Sequence, residues 1–471
     1  MCIRDRLVWI AAGADPLFVA RLFSGLIGVM LVAVTGACGR VLLDERAGWL
    51  AALLMACAPF SIQQARFYTV DPLGAVLASG AVLAGMRRRW RVGGVLAGLA
   101  LACKLSLIWA FVPLVWAIAS ERPSGDGLLH TLRQYAVNVF RFVLLPASLA
   151  FIAVSPWAVL RPVACWRGPL LQALMVAGQF DLPYTRQYAG TWPYAYPLAQ
   201  MALWGLGPAV TLAGLIGLGV AVLRWRTSSF AAHVAWIWTA FYFLATAGHD
   251  VKFPRYLFPL YPMWVVWAVA SVRCTRSLTR RLCYGLLMFF TAVPGLAQVA
   301  VYTQPHPWAE ASRWLYDHVP PGETIVVEMW DHALPVPLPD GDPAHYVQVI
   351  LPVFDEDGPD KRAQLEAALR DADVIVLASR RGYGALARQP ERYAETLVWY
   401  RALLAGWDIR VFGRCPHLGL LALSDDPLAD ADLPLPVSLA ERCGTPYVLR
   451  LPWLDESFRV YDAPVVIVAT P

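Results

Sequence analysis

Apolar residues collect in long blocks over the first three hundred positions of this chain and disperse after that. Runs nearly free of charge occupy 18–43, 48–62, 71–86, 92–104, 105–119, 137–157, 197–222, 230–248, 256–272 and 282–302. A helix that crosses a bilayer core needs about 20 such residues, with a range of about 17–25. The pattern therefore predicts about ten spans. The blocks 48–62, 71–86 and 92–104 are short and read as broken or tilted spans, tolerated where protein covers the backbone. After about 303 the blocks end, and Pro, Asp and Glu rise. Short β-like runs follow at 324–328, 374–377, 409–412 and 464–468, with amphipathic stretches 361–371 and 391–405 between them. Strand and helix in alternation predict a small α/β domain. The chain thus reads as a mainly α, polytopic helical membrane part, 1–302, followed by an α/β soluble domain, 303–471.

Composition agrees. The 471 residues are 58% hydrophobic and 15% charged, whereas soluble domains run to about 45–50% and about 25%. A disordered, collagen-like or single small soluble fold is excluded. Twenty Trp and eighteen Tyr suit a chain with two lipid–water interfaces. The net charge of +5 gives no reason to expect nucleic acid, because the arginines group beside the apolar blocks. One group is Arg87, Arg88, Arg89 and Arg91, and a second is Arg122, Arg133 and Arg141. Arg224 and Arg226 form the third, and Arg273, Arg276, Arg280 and Arg281 the fourth. Short cytoplasmic loops collect such residues. With all four groups cytoplasmic, the segment 62–71, Lys104, the loops 158–196 and 249–255, and the tail fall outside. This predicts a multi-pass plasma-membrane protein with an extracytoplasmic C-terminal domain. The chain then also begins outside, yet 1–6 are polar and 7–14 form only a short apolar stub, so no signal peptide is visible. One further span upstream is the expectation.

None of the nine cysteines shows CxxC or zinc spacing. Cys415 and Cys443 lie in the tail, where they form a disulfide on an outer face or remain two buried thiols. Three Asp-x-Asp spots, Asp355/Asp357, Asp371/Asp373 and Asp430/Asp432, read as solvated loop acids rather than a metal–nucleotide site. Nucleophile elbows, HExxH, Walker loops and GxGxxG are absent from the sequence. What remains is a set of polar residues at the outer ends of spans, where ionisable groups are costly and functional by default.

The segment 59–72 holds Gln63, Gln64, Arg66, Tyr68 and Asp71. Asp71 precedes Pro72, which favours a helix start, so Asp71 is also a candidate N-cap. Lys104 interrupts an apolar run of more than twenty residues. It is either a snorkelling side chain or a functional cation. Of the thirty-nine basic residues only Lys104, Lys252 and Lys361 are lysine. Two of these three stand at outer span ends, which points to a compact ammonium wanted there. The stretch His249–Tyr256 adds Lys252 and Arg255, which can hold a phosphate, the arginine bidentately. In the loop 158–196, Tyr184, Tyr188, Trp192, Tyr194 and Tyr196 suit sugar stacking or the lipid interface equally.

These residues carry a resemblance. Arg21–Gly25, Ile62–Asp71, Gly98–Lys104, Gln187–Tyr194 with Leu203–Gly207, Lys252–Pro259 and Glu456–Asp462 together resemble the phospholipid carrier-dependent glycosyltransferases of family 39. These have the GT-C fold and are related to protein O-mannosyltransferases and the lipid A aminoarabinose transferase. The resemblance implies a sugar moved, with inversion, from a polyprenyl-phosphate donor to an acceptor hydroxyl on the outer membrane face. The acceptor is a protein, a lipid or a glycan, and no cofactor is implied, since the lipid-linked sugar is a substrate. Asp71 matches the acid of the family's second external loop and is the candidate catalytic carboxylate of this chain. The resemblance further implies a first external loop with an Asp-Glu pair, and this loop is expected to be absent from the chain together with the upstream span. Lys104, Lys252, Arg255 and Tyr256 fall to the donor phosphate, and Gln64, Arg66, Tyr68, Tyr188, Trp192 and Tyr194 to the acceptor and sugar. An inactive truncated homologue and a polytopic transporter are the alternatives.

Overall fold

The computed structural model describes residues 16–121, 128–273, 276–433 and 437–471. Arg122 of the second basic group and the stub 7–14 lie outside the described residues. The described chain forms two compact units: one takes in residues up to Ala177 with Pro193–Gly295, the other Gly178–Trp192 with Leu296–Pro471. The first is helical throughout. Among the described residues three helices, Pro16–Leu42, Leu128–Val154 and Ser277–Val301, are long and apolar enough to cross a membrane, and five shorter apolar helices accompany them. Their outward faces carry large apolar side chains such as Phe18, Val29, Leu149 and Phe289. Water would not tolerate so much bare apolar surface; this is a mainly α-helical membrane protein with a small C-terminal α/β unit.

Each apolar block became helix, but with breaks. The block 48–62 is split at Ala58 into Glu45–Cys57 and Pro59–Gln64, with Pro59 opening the second piece. The basic residues Arg133 and Arg141 lie inside the helical stretch Leu128–Val154 rather than in a loop, because helix begins earlier than the apolar run. The expected loop 158–196 contains the helix Pro162–Val176. The helix Tyr261–Arg273 is the core of the unit, with every residue from Tyr261 to Val269 buried. Its indoles reach neighbours: Trp264 donates to the Thr211 carbonyl at 3.1 Å and Trp267 to Thr239 Oγ1 at 3.1 Å. Close approach requires small residues on the facing helix Pro208–Leu223, where a Cβ at Gly214 would strike the Trp264 ring; small residues let helix backbones approach in just this way.

The two ends of the helical unit differ. At one end Arg88 pairs with Glu121 at 2.6 Å and stacks 4.0 Å over the Phe230 ring, and Arg273 pairs with Asp44 at 2.9 Å. Helices lead alternately from this arginine-rich end to the opposite one, where 65–71, Lys104 and 247–256 lie.

In the second unit β1 (Thr324–Glu328), β2 (Val347–Leu351), β3 (Val374–Leu377), β4 (Asp408–Phe412) and the last strand Val466–Thr470 form one sheet. Between β4 and the last strand lie β5 (His417–Leu418), β6 (Leu421–Ser424) and β7 (Tyr447–Arg450), which form a second sheet; the last strand is β8. The large sheet runs β2-β1-β3-β8-β4, parallel across β2, β1 and β3 and antiparallel at β8. Period-two alternation sends Ile325, Val327, Val374 and Val376 to the face covered by the helix Pro307–His318. Val326, Ile375 and Leu377 face the helices Pro359–Asp371 and Ala394–Gly406. Cys415 and Cys443 are joined in a disulfide. The Asp-x-Asp acids are not simply solvated: Asp357 accepts from Lys361 Nζ and from the Glu395 and Thr396 amides, and Asp373 accepts from the Thr324 amide.

The end of β1 buries a carboxyl. Glu328 accepts from the Tyr400 hydroxyl, and burial pushes it up to about 8. A carboxyl held protonated contributes stability that is complete below its unfolded value and is lost as pH rises through the folded value. Glu328 by itself is expected to lower the unfolding free energy of this unit by about 1.4 kcal/mol per pH unit between 4.5 and about 8. Glu328→Gln keeps the hydrogen bond without a titrating proton. Calorimetry of the variant across that range should show the slope flattened; an unchanged slope would mean that another group titrates.

Candidate functional site

Three segments of the helical unit meet at the end away from the paired arginines. The first is the start of the helix Val70–Met86. Its N-cap is Thr69, so Asp71 sits in the first turn and its carboxylate is not the cap. The second is a break in the apolar run: Lys104 takes an extended backbone (φ −159°, ψ 130°) between the helix Trp90–Cys103 and the helical stretch Leu105–Ala119. The third is the turn Pro254–Tyr256. Lys104 Nζ donates to Asp71 Oδ1 at 2.6 Å, with the side chains 21% and 10% exposed. The same ammonium lies 4.4 Å over the Tyr256 ring. Tyr256 is itself held in place, since its carbonyl accepts from the Tyr242 hydroxyl at 3.0 Å. Sequence reasoning missed Tyr242, which reads as one more aromatic in an apolar run.

Arg255 completes the group. Its guanidinium stacks 4.1 Å over the Phe253 ring and 5.9 Å from the Tyr256 ring, and its charge acts on Lys104. Among the described residues no carboxylate pairs with Arg255. One acid thus faces two cations, so the cluster holds a net positive charge in a partly buried place. Such a place attracts an oxyanion, which arginine can grip with two parallel hydrogen bonds.

The other predicted residues fall in several places. Lys252 is buried in the same loop as Arg255, where it donates to the Asp250 carbonyl at 2.9 Å. Burial draws its ammonium below the usual lysine range. Gln64 is buried at the end of the helix Pro59–Gln64. Arg66 and Tyr68 lie in the half-buried turn that follows, where Tyr68 meets Phe23 edge-on at 6.1 Å. Tyr194 packs on Phe243 and donates to the Leu244 carbonyl at 3.4 Å, a structural anchorage within the helical unit. Tyr188 and Trp192 belong to the second unit; Tyr188 is buried there, while Trp192 is 77% exposed. The six acceptor and sugar candidates are therefore divided between the units.

No protein-family model matches the chain, and no curated protein matches it. Solved structures resemble it at low identity. The archaeal oligosaccharyltransferase AglB from Archaeoglobus fulgidus, in complex with an inhibitory peptide and a dolichol-phosphate, is 14% identical with a TM-score of 0.47 over 86% of this chain. The chain spans 64% of that protein's length. ArnT from Cupriavidus metallidurans bound to undecaprenyl phosphate is 17% identical with a TM-score of 0.45, covering 81% of this chain and 83% of that one.

Removing one member of a buried ion pair strands its partner's charge. Asp71→Asn leaves Lys104 and Arg255 facing each other and is expected to cost roughly 2 kcal/mol, discounted for partial exposure. Asp71→Asn with Lys104→Met should recover more than half of that loss. Thermal unfolding of the single and double variants checks this, and strictly additive losses would speak against a coupled pair.

Proposed function

We propose that the chain is a membrane glycosyltransferase of the GT-C type, and that Lys104 and Arg255 receive the phosphate of a lipid-linked sugar donor. The observation that carries this reading is Arg255, which pairs with no carboxylate among the described residues, beside the Asp71–Lys104 pair. A diester phosphate brings one negative charge, which balances that excess. The donor's lipid tail would lie among the apolar helices, with its phosphate at their end.

The reaction follows from the charges. An acceptor hydroxyl oxygen attacks the anomeric carbon as the carbon–oxygen bond to phosphate breaks, with inversion. The hydroxyl proton passes to a carboxylate base, and the lipid phosphate leaves with one more negative charge than it had in the donor. Cations fixed before the reaction favour that growing charge most where water is scarce. Asp71, already bonded to Lys104, serves chiefly to hold the ammonium in place and to orient the acceptor. Lys252 adds positive charge to the same loop, and Tyr256 lends its ring face to Lys104.

The outer face of the plasma membrane fits this chemistry. The cluster lies at the end opposite the arginine-rich loops, which the positive-inside rule assigns to the cytoplasm. The Cys415–Cys443 disulfide supports an oxidising environment for the α/β unit. The acceptor is a protein, lipid or glycan hydroxyl.

Binding can be tested apart from turnover. Labelled undecaprenyl phosphate should bind the purified chain saturably, and Lys104→Ala or Arg255→Ala should weaken binding by about tenfold or more, a loss of about 1.4 kcal/mol. Arg88→Ala, at the opposite end, should bind as the parent does. Parent-like binding by both Lys104→Ala and Arg255→Ala would refute the assignment.

A further inference from the structure

The α/β unit contains a second cluster of buried charge, which sugar transfer does not use. It lies at the carboxyl ends of the parallel strands β1 and β3. The order β2-β1-β3 means that the chain leaves β1 toward one edge of the sheet and β3 toward the other. The crevice outside two such strands is where open α/β sheets bind ligands. Just past β1, Trp330 holds a positive φ of 92°, a costly backbone for a bulky residue. Just past β3 come Ser379, Arg380 and Arg381.

Arg380 is 3% exposed. Its Nη1 pairs with Asp425 and its Nε with Glu456. Arg381 Nη1 pairs with Asp331 at 2.6 Å, and the Ser379 hydroxyl donates to the same carboxylate. Two guanidinium nitrogens are left over: Arg380 Nη2 and Arg381 Nε are buried without a hydrogen-bond partner among the described residues. A buried donor left unmet costs about 1–3 kcal/mol. Both arginines line one cleft with Tyr184, Gln187, Trp453 and Glu456. The Gln187 amide is already committed, donating to the Tyr184 carbonyl at 3.2 Å and accepting from the Glu456 amide at 3.0 Å. The unmet arginine groups are N–H donors that call for an acceptor. Burial also pushes the Glu456 carboxyl up to about 7, against the pull of Arg380 and Arg381.

We propose that this cleft binds a small oxyanion, a carboxylate or phosphoryl group, on Arg380 and Arg381. The planar guanidinium fork suits such groups better than any other side chain. The inference stands on the α/β unit alone and does not depend on the transfer reading.

The test uses the full chain in phosphatidylcholine nanodiscs. Thermal unfolding is followed while inorganic phosphate or acetate replaces chloride at constant ionic strength. The site predicts saturable stabilisation by at least one of the two. Arg381→Gln should weaken the apparent affinity about tenfold; it also strands the buried Asp331 carboxylate and lowers the melting temperature in chloride, so the anion effect is read as the shift from the variant's own chloride baseline. The double variant Lys104→Ala/Arg255→Ala should keep the effect, which separates this cleft from the cations of the helical unit. A parallel series in phosphatidylglycerol nanodiscs, without added anion, distinguishes the sources: stabilisation there that Arg381→Gln removes assigns the group to a lipid headgroup. The proposal is overturned by no saturable stabilisation in either series, by stabilisation that survives Arg381→Gln, or by its loss in the double variant.

Discussion

Asp71 and Lys104 stand thirty-three residues apart, and the 2.6 Å bond between them closes the far end of the helical unit. It joins the first turn of one helix to the break between two others. Without a carboxylate in reach, an ammonium at this depth would be driven out toward water. With one, Lys104 can stay under the face of Tyr256, and the extended backbone at Lys104 is held where it interrupts the apolar run. Arg255 then adds a charge that no described carboxylate pairs with. The site is this sequence of constraints: a pair that is tolerated because it is matched, and a third charge with no matching carboxylate among the described residues.

The α/β unit repeats the principle with different parts. Arg380 is tolerated inside because Asp425 and Glu456 flank it, yet its fork has more donors than those acids accept. In both units matched charges fix the geometry and a surplus remains among the described residues: one cation in the helical unit, two guanidinium donors in the α/β unit. Structural ion pairs alone would have no need of the surplus. The arginine pairs at the opposite end of the helical unit, Arg88 with Glu121 and Arg273 with Asp44, are more exposed and serve to tie loops together.

Much of the fold was legible because hydrophobic period and length are local properties. The apolar blocks all lie in helix, and β1 and β3 follow their β-branched runs. What was missed depends on distant partners. β2 is an edge strand whose side chains are mostly exposed, although its run Val347–Leu351 is rich in β-branched residues. The segment 178–192 joins the α/β unit through bonds to residues far along the chain, such as Arg186 to the Phe354 carbonyl, which no local pattern encodes. Lys104 stood out because lysine is scarce in a chain that otherwise uses arginine. Arg380 and Arg381 did not stand out, for the same reason reversed: they are the common cation, and only the strand order reveals that they lie at a switch point. The division of Tyr188, Trp192 and Tyr194 between units was likewise invisible, since aromatics with polar tips look the same in a sugar site, at a lipid interface and in a packed turn.

The most direct measurement is an experimental structure of the full chain in a lipid nanodisc with added polyprenyl phosphate, read for the position of the phosphorus atom. Phosphate oxygens are expected within hydrogen-bonding distance of Lys104 Nζ and the Arg255 guanidinium, with the Asp71–Lys104 bond intact. A phosphate found instead at the arginine-rich end, beside Arg88 or Arg273, would contradict it.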